Sequence, residues 1–173
     1  MNKAQIAIVI GSDSDLEIMS EAAKFLEDLQ IPYELNILSA HRSPDETADF
    51  AKKANKLGIK VIVAAAGGAA ALPGSIASQT SLPVIGVPIK SNSLEGLDSL
   101  LSMVQMPPGV PVATVGINSA KNAAILASQI LALFDSGISQ KLENFKNKMK
   151  KNVLEKSQNL KTNGYKKYLN QKK

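Results

Sequence analysis

The feature that most limits the fold of this 173-residue chain is a series of five short apolar runs. Several of them are rich in Val and Ile and are nearly continuous, without regular polar alternation. Such runs are typical of strands that are buried on both faces, as in a parallel sheet. The expected strands are Ile6–Ile10, Tyr33–Leu38, Ile59–Ala65, Pro83–Val87 and Pro111–Ile117.

Helical patterns lie between these runs. The best marked, Pro44–Leu57, follows Ser43 as a candidate N-cap and ends before Gly58. The alternation of strands and helices predicts an α/β fold with a doubly wound parallel sheet. The chain has the length of one domain and shows no internal repeat or interdomain linker. The other predicted helices are Asp15–Leu29, Leu72–Gln79, Ser93–Met103 and Ser119–Phe134.

The C-terminal segment, residues 137–173, differs from the rest of the chain in charge. It contains 11 basic and 2 acidic residues, whereas residues 1–136 contain 9 basic and 13 acidic residues. Leu142, Phe145, Met149 and Val153 fall on one face of a helix whose opposite face is Lys and Asn. We therefore predict an α/β domain at 1–136 and a helical extension at 137–173 that packs on a neighbouring subunit. Binding to nucleic acid or to an anionic membrane is the less favoured alternative, because the body is acidic and the segment has few aromatic residues.

Composition limits the chemistry. The chain has no Cys, which rules out disulfides, thiolate metal sites and a Cys nucleophile. It has one His and no HExxH or calcium-loop pattern, so we expect no metal. No run reaches the roughly 18 apolar residues of a membrane span, and the first apolar run is too short for a signal-peptide core. We expect a cytoplasmic protein with no membrane partner.

The loop after the first strand, Gly11–Asp15, is the first of three candidate binding loops. Ligands of open parallel sheets bind beyond the carboxyl ends of the strands. Here two hydroxyl groups precede a helix amino end, which favours an anion, and Asp15 is suited to accept hydrogen bonds from ribose hydroxyls. Helix capping by Ser14 or Asp13 explains the same residues equally well. The loop is not a P-loop, which argues against an ATPase.

The loop after the second strand, Ser39–Ser43, contains the only His and the only Arg of the chain, side by side. A histidine can donate and accept protons near neutral pH, and an arginine offers fixed paired donors to a phosphate. A capping loop with incidental polar residues fits less well, since function concentrates at this edge of the sheet. His41 and Arg42 are therefore candidate functional residues.

The loop after the third strand, Ala64–Gly74, consists almost wholly of Gly and Ala. Small residues let the backbone approach a ligand, and its N–H groups could hold a carboxylate or CO2. Tight packing of a helix on the sheet explains the same composition. Together the three loops predict a small anionic substrate, such as a nucleotide-like phosphate ester.

Five motifs, in order along the chain, resemble those of class I N5-carboxyaminoimidazole ribonucleotide mutases, a family of bacterial purine biosynthesis. The resemblance extends from about residue 5 to the C-terminus. It implies a three-layer, flavodoxin-like α/β fold, with residues 1–136 as the catalytic domain. It also implies a homo-octamer and an isomerase that uses no metal, biotin, ATP or other cofactor. The motifs are Gly11-Ser12-Asp13-Ser14-Asp15, Ser39-Ala40-His41-Arg42, Ala66-Gly67-Gly68-Ala69-Ala70 with Leu72-Pro73-Gly74, Leu82–Pro88 and Ser102–Pro107.

The resemblance also implies a role for each loop. His41 would be the catalytic acid and base that moves a carboxylate from the exocyclic nitrogen to ring carbon 4 through transient CO2. Arg42 with Ser12 and Ser39 would bind the 5′-phosphate, and Asp15 would bind the ribose. The residues implied to contact the substrate or CO2 besides these are Ser14, Ala40, Gly67, Gly68 and Leu72.

One departure from the family pattern bears on activity. Ala71 stands where class I members usually have His, and Ala65 replaces a commoner Gly. Two further hypotheses therefore stay open: direct carboxylation of aminoimidazole ribonucleotide by CO2, and a nucleotide-binding homologue that Ala71 has impaired. A nucleic-acid binder driven by the basic segment ranks last.

Overall fold

A five-stranded, all-parallel sheet organises the chain, of which the computed structural model describes residues 3–170. The strands are β1 (Ile6–Ile10), β2 (Tyr33–Ile37), β3 (Val61–Gly67), β4 (Val84–Ile89) and β5 (Ala113–Thr114). Their order in the sheet is β2-β1-β3-β4-β5, which is the doubly wound order of flavodoxin-like folds. The predicted fold class is confirmed.

Residues 3–170 contain six α-helices: α1 (Leu16–Asp28), α2 (Pro44–Leu57), α3 (Leu72–Ala77), α4 (Leu97–Val104), α5 (Ala120–Ala132) and α6 (Ser136–Asn170). They cover the two faces of the sheet, α6 only with its start, and together with it they make three layers. Ile6, Ile8 and Ile10 point to the face covered by α1, α5 and the start of α6, whereas Ala7 and Val9 point to the face covered by α2, α3 and α4. This alternation within a wholly apolar strand explains why the runs carry no polar residues.

The register of the sheet brings the three candidate loops together. Ile10 pairs with Ile37 of β2 on one side and with Ala65 of β3 on the other. The loops that follow these three strands therefore begin at neighbouring positions on the carboxyl edge.

Most elements lie within two residues of their predicted bounds, and two differ from them by three or more residues at one end. The predicted strand Pro111–Ile117 shortens to Ala113–Thr114, because it pairs with β4 alone and Pro111 has no N–H to donate. The predicted helix Ser93–Met103 begins only at Leu97, since Glu95 and Gly96 take left-handed φ values of 55° and 92°. These residues form a turn that no α-helix can include.

The apolar face of α6 divides into two parts. Leu142 is buried and Phe145 packs edge-on against Phe25 of α1, with ring centroids 5.1 Å apart. Met149 and Val153 are 46% and 65% exposed. The face predicted to contact a neighbouring subunit thus lies partly on the chain's own body, because the first three turns of α6 contact α1 and α5.

The predicted division at 136/137 falls at the start of α6, which begins at Ser136. Residues 1, 2 and 171–173, the outer ends of the two predicted segments, lie outside the described residues. The long helix is interrupted at Gly164, whose φ is 69°. None of the helices in residues 3–170 has both the length and the apolar character that a membrane span requires.

Candidate active site

A cavity of about 520 Å³ opens at the carboxyl edge of the sheet, where the loops after β1, β2 and β3 meet. Its size is in the usual range for small-molecule sites. Nine of the ten predicted site residues line it: Ser12, Ser14, Asp15, Ser39, Ala40, His41, Arg42, Gly67 and Leu72. Four further residues of the predicted loops line it that were not predicted to bind: Gly11, Ala66, Ala70 and Ala71.

Gly68 is the predicted site residue that does not line the cavity. Its φ is 62°, a left-handed value that glycine adopts without strain. The turn it makes is closed by the Ala70 N–H, which donates to the carbonyl oxygen of Gly67 at 3.2 Å. Gly68 therefore shapes the loop that carries Gly67.

The first loop is held by its own side chains. The backbone N–H of Ser14 donates to Oδ1 of Asp13 at 3.1 Å and to Oγ of Ser12 at 3.4 Å. The side chain at the N-cap of this turn is thus that of Ser12, and neither Ser14 nor Asp13 caps α1, whose N-cap Asp15 makes no side-chain cap bond. Gly11 N–H donates to the Ala65 carbonyl at 3.1 Å, which attaches this loop to β3.

Asp15 is a buried carboxylate that lines the cavity, with 7% of its surface exposed. Burial raises its pKa above the ordinary value, and the Ser14 hydroxyl, which donates to Oδ1 at 3.3 Å, opposes this shift in part. The Ser14 hydroxyl and a backbone hydrogen bond from Ser12 do not saturate the acceptor capacity of a carboxylate. Asp15 can therefore accept hydrogen bonds from a ligand's hydroxyl groups.

Arg42 connects the second loop to the first. Its Nη2 donates to the Gly11 carbonyl at 2.9 Å, and its Nε donates to Oγ of Ser39 at 3.4 Å. The Ser39 hydroxyl also accepts the Arg42 backbone N–H at 3.2 Å. A guanidinium has five N–H donors, so these bonds fix its plane and leave donors for an anion in the cavity.

His41 is exposed at the cavity wall. Its imidazole makes no hydrogen bond to any residue in the described range 3–170. Both ring nitrogens are therefore available to exchange protons with a bound molecule.

The third loop adds an apolar wall. Ala71 is at the N-cap position of α3, where its methyl group offers no capping hydrogen bond. Ala66, Ala70 and Leu72 are its apolar neighbours in the cavity lining. The titratable side chains lining the cavity are thus Asp15, His41 and Arg42. Residues 3–170 contain no cluster of three His, Asp or Glu side chains arranged to hold a metal.

The comparison with protein families agrees with this geometry. The sequence model of the family described as AIR carboxylase matches residues 5–152. The chain belongs to this family. The match includes the three loops of the cavity and extends into α6.

Relatives of known name cover nearly the whole chain. It is 58% identical to the N5-carboxyaminoimidazole ribonucleotide mutase of Thermotoga maritima, over 97% of this chain and 98% of that protein. It is 56% identical to the mutase of Pyrococcus horikoshii, over 98% and 96%. The phosphoribosylaminoimidazole carboxylase of Saccharomyces cerevisiae is 52% identical over 99% of this chain, which spans only 30% of that protein.

A solved structure supports the same fold. The crystal structure of Treponema denticola PurE superimposes with a TM-score of 0.84 at 29% identity, covering 91% of this chain and 99% of that one. The two chains thus share their overall fold.

Proposed function

We propose that this chain is an N5-carboxyaminoimidazole ribonucleotide mutase, an isomerase of purine biosynthesis. It moves the carboxylate from the exocyclic nitrogen of its substrate to ring carbon 4, which gives 4-carboxy-5-aminoimidazole ribonucleotide. One observation carries the proposal: the only His and the only Arg of a chain 58% identical to a mutase line one cavity with a buried Asp.

The nucleotide part of the substrate fits the two polar loops. Arg42, Ser12 and Ser39 bind the 5′-phosphate, because they bring guanidinium and hydroxyl donors to one side of the cavity. Asp15 binds the ribose hydroxyls, which supply the donors that a buried carboxylate lacks. Ser14 and Ala40 complete this wall.

His41 performs both proton transfers. Its protonated imidazole gives a proton to the carbamate nitrogen while the N–C bond breaks and CO2 leaves. Ring carbon 4 then attacks CO2, and the neutral imidazole takes the proton from that carbon, which restores the aromatic ring. One group thus returns to its starting state, in keeping with a single histidine in the chain.

The third loop retains CO2 between these steps. Gly67 lies at the end of β3 beside the alanine and leucine wall, and Gly68 makes the turn that follows. Such a wall offers CO2 a dry position next to the ring. Retention keeps recapture unimolecular, since loss to solvent would make it a bimolecular step.

The first experiment is turnover of synthetic N5-carboxyaminoimidazole ribonucleotide by the purified protein, beside the Ala71→His variant. We expect conversion by the parent protein. If the parent is inactive and the variant is active, Ala71 disables a mutase scaffold, as the impaired-homologue hypothesis states. Two silent proteins that still bind the nucleotide would overturn the mutase.

Direct carboxylation is the second candidate function, favoured by the carboxylase name of the yeast relative and by Ala71. A substrate whose carbamate carries ¹³C, supplied in unlabelled bicarbonate, separates the two reactions. The mutase keeps the label in its product. A carboxylase draws carbon from the bulk pool, so its product is unlabelled, and it also converts aminoimidazole ribonucleotide with bicarbonate alone.

The assembly we propose is a homo-octamer in the cytoplasm, with the helical extension from residue 137 packed on neighbouring subunits. Two exposed apolar surfaces support it. One is the distal half of α6, and the other is a stripe at helical spacing on and before α4, formed by Leu94, Leu97, Leu101 and Val104. Light scattering should give about 146 kDa, eight times the chain mass of 18.3 kDa; 18.3 kDa at all concentrations contradicts the assembly.

The partners we propose are the nucleotide and CO2 alone, with no nucleic acid or membrane. The Lys-rich face of α6 is then a solvated surface. A gel-shift assay at low salt should show no complex with a DNA duplex, whereas salt-sensitive binding that disappears on removal of residues 137–173 would favour the nucleic-acid hypothesis.

A further inference from the structure

The loop that carries His41 is closed by Ser43, a residue that does not line the cavity. The Ser43 hydroxyl accepts the backbone N–H of Ser39 at 3.0 Å and donates to the Ser39 carbonyl at 3.2 Å. The Ser43 N–H donates to the same carbonyl at 2.8 Å. Three hydrogen bonds thus join the two ends of a five-residue loop whose middle residue is His41.

The Ser43 hydroxyl is unusual for its position. Ser43 precedes α2 at the N-cap, where a serine ordinarily accepts a backbone N–H from the first turn of the helix. Here its side chain makes no such bond. The hydroxyl faces back toward Ser39, so it holds the loop instead of the helix that follows.

A buried threonine holds Ser43 in turn. Thr47, which is 2% exposed, donates from Oγ1 to the Ser43 carbonyl at 2.8 Å, and its backbone N–H donates to the same atom at 3.0 Å. Ser43 is therefore attached to the first turn of α2. The chain of bonds runs from α2 through Ser43 and Ser39 to Arg42, and from Arg42 to Gly11.

His41 depends on this closure, because its imidazole makes no hydrogen bond within residues 3–170. Its position is set by the backbone of the loop. We propose that Ser43 is a positioning residue that fixes the imidazole of His41 against the substrate through the closed Ser39–Ser43 loop. The catalytic part of this proposal rests on the mutase function above.

Three variants test the proposal kinetically: Ser43→Ala, Ser43→Thr and the control Ser128→Ala. Ser128 is buried in α5 and its hydroxyl donates to the Ala124 carbonyl at 2.7 Å, so its loss tests general destabilisation alone. We expect Ser43→Ala to lower kcat about 10-fold, since small misplacements of a catalytic group are costly. KM should change less than about 3-fold, Ser43→Thr should restore most of kcat, and Ser128→Ala should lower only the melting temperature.

The single histidine gives a readout that needs no activity. A protein labelled with ¹³C at histidine Cε1 shows one imidazole resonance, that of His41. We expect Ser43→Ala to shift or broaden this resonance, while Ser128→Ala leaves it unchanged. An unchanged resonance in folded Ser43→Ala overturns the positioning role, whatever the parent enzyme catalyses. If Ser43→Ala changes the resonance but the parent protein converts no substrate, the loop closure is supported and the mutase function is overturned.

Discussion

The carboxyl edge of the sheet and the distal half of α6 are both exposed in the isolated chain, but they differ in what they expose. At the edge, the Arg42 side chain is held by hydrogen bonds to Gly11 and Ser39, which belong to two different loops. In the distal half of α6, Met149, Val153 and Leu154 expose apolar surface. The edge is preorganised for a small polar ligand, whereas the helix surface suits another protein surface.

This difference separates the chemistry of the cavity from the contacts between chains. The edge brings Asp15, His41 and Arg42 of one chain to one cavity, so their roles can be tested by substitutions that leave assembly intact. The apolar side chains along α6 pack on the body of the chain only as far as Phe145. Substitutions there separate folding of the chain from contacts between chains.

The largest expected effect is at the edge. His41→Asn should lower kcat by about 10²–10⁴-fold, the usual contribution of a general acid or base, because Asn cannot move a proton. Nucleotide affinity and particle mass should stay near those of the parent. Calorimetry of product binding checks the first point and light scattering the second; equal loss of binding and turnover would make His41 a binding residue instead.

The next prediction compares the two parts of α6. Leu142→Ala removes a buried side chain and should lower the free energy of unfolding by about 2–5 kcal/mol. Val153→Asp places a charge on the exposed part and should lower the particle mass. The loss of stability caused by Val153→Asp should depend on protein concentration. Part of the loss caused by Leu142→Ala should be independent of protein concentration.

Thermal unfolding at several protein concentrations measures both variants. Val153→Ser serves as the control for side-chain size without charge. An unchanged particle mass for Val153→Asp would contradict a subunit contact at the distal half of α6.

The division of α6 also shows where sequence reasoning ends. The spacing of Leu142, Phe145, Met149 and Val153 predicts which face is apolar, and that is an intrinsic property of the helix. It contains no information about what the face contacts. What the face contacts depends on the length of α6 relative to α1 and α5, and so on the tertiary structure.

The fold was predictable where local signals agree. Ile6–Ile10 and Pro44–Leu57 have the predicted limits, since a wholly apolar run, an N1 proline and a left-handed Gly58 each act locally. At the edge strand, pairing with one neighbour decides the length, so Pro111–Ile117 was predicted too long.

The candidate site was predictable in position and less so in detail. Topology rules place the loops after β1, β2 and β3 together, and nine of ten predicted residues line the cavity. The bond from Arg42 to Gly11 links residues 31 positions apart, and no local pattern encodes it. Ala66, Ala70 and Ala71 were not predicted to line the cavity because an alanine side chain has no functional group, although the loop that contains them was recognised.

A smaller effect is expected from Arg42→Lys. Lysine keeps the charge and loses the planar fork that contacts Gly11 and Ser39. Nucleotide affinity should fall about 10-fold, or about 1.4 kcal/mol, with kcat changed less. Titration calorimetry with the product measures the change, and Lys53→Arg, in an exposed ion pair with Asp49, is the control for cation exchange. An unchanged affinity would remove Arg42 from the phosphate site.

The smallest effect is expected from removing the charge of Asp15, which should raise the stability of the chain and weaken nucleotide binding. Burial raises the pKa of Asp15 in the folded state, so the folded chain binds a proton more tightly than the unfolded chain. Stability from this group is therefore lost as pH rises from the ordinary value of 3.8 through the raised value. Above that window the buried charge opposes folding, which distinguishes the edge from the apolar core beneath it.

Asp15→Asn removes this charge while keeping the shape of the side chain. We expect a higher melting temperature than that of the parent at neutral pH, with the difference vanishing below about pH 3.8, where both chains are uncharged at this position. We also expect weaker nucleotide binding, because the amide loses one acceptor for the ribose. A lower melting temperature for Asp15→Asn at neutral pH would mean that the carboxylate stabilises the fold. The edge would then resemble the buried part of α6, where side chains stabilise the chain itself. An unchanged nucleotide affinity for Asp15→Asn would mean that a different group binds the ribose.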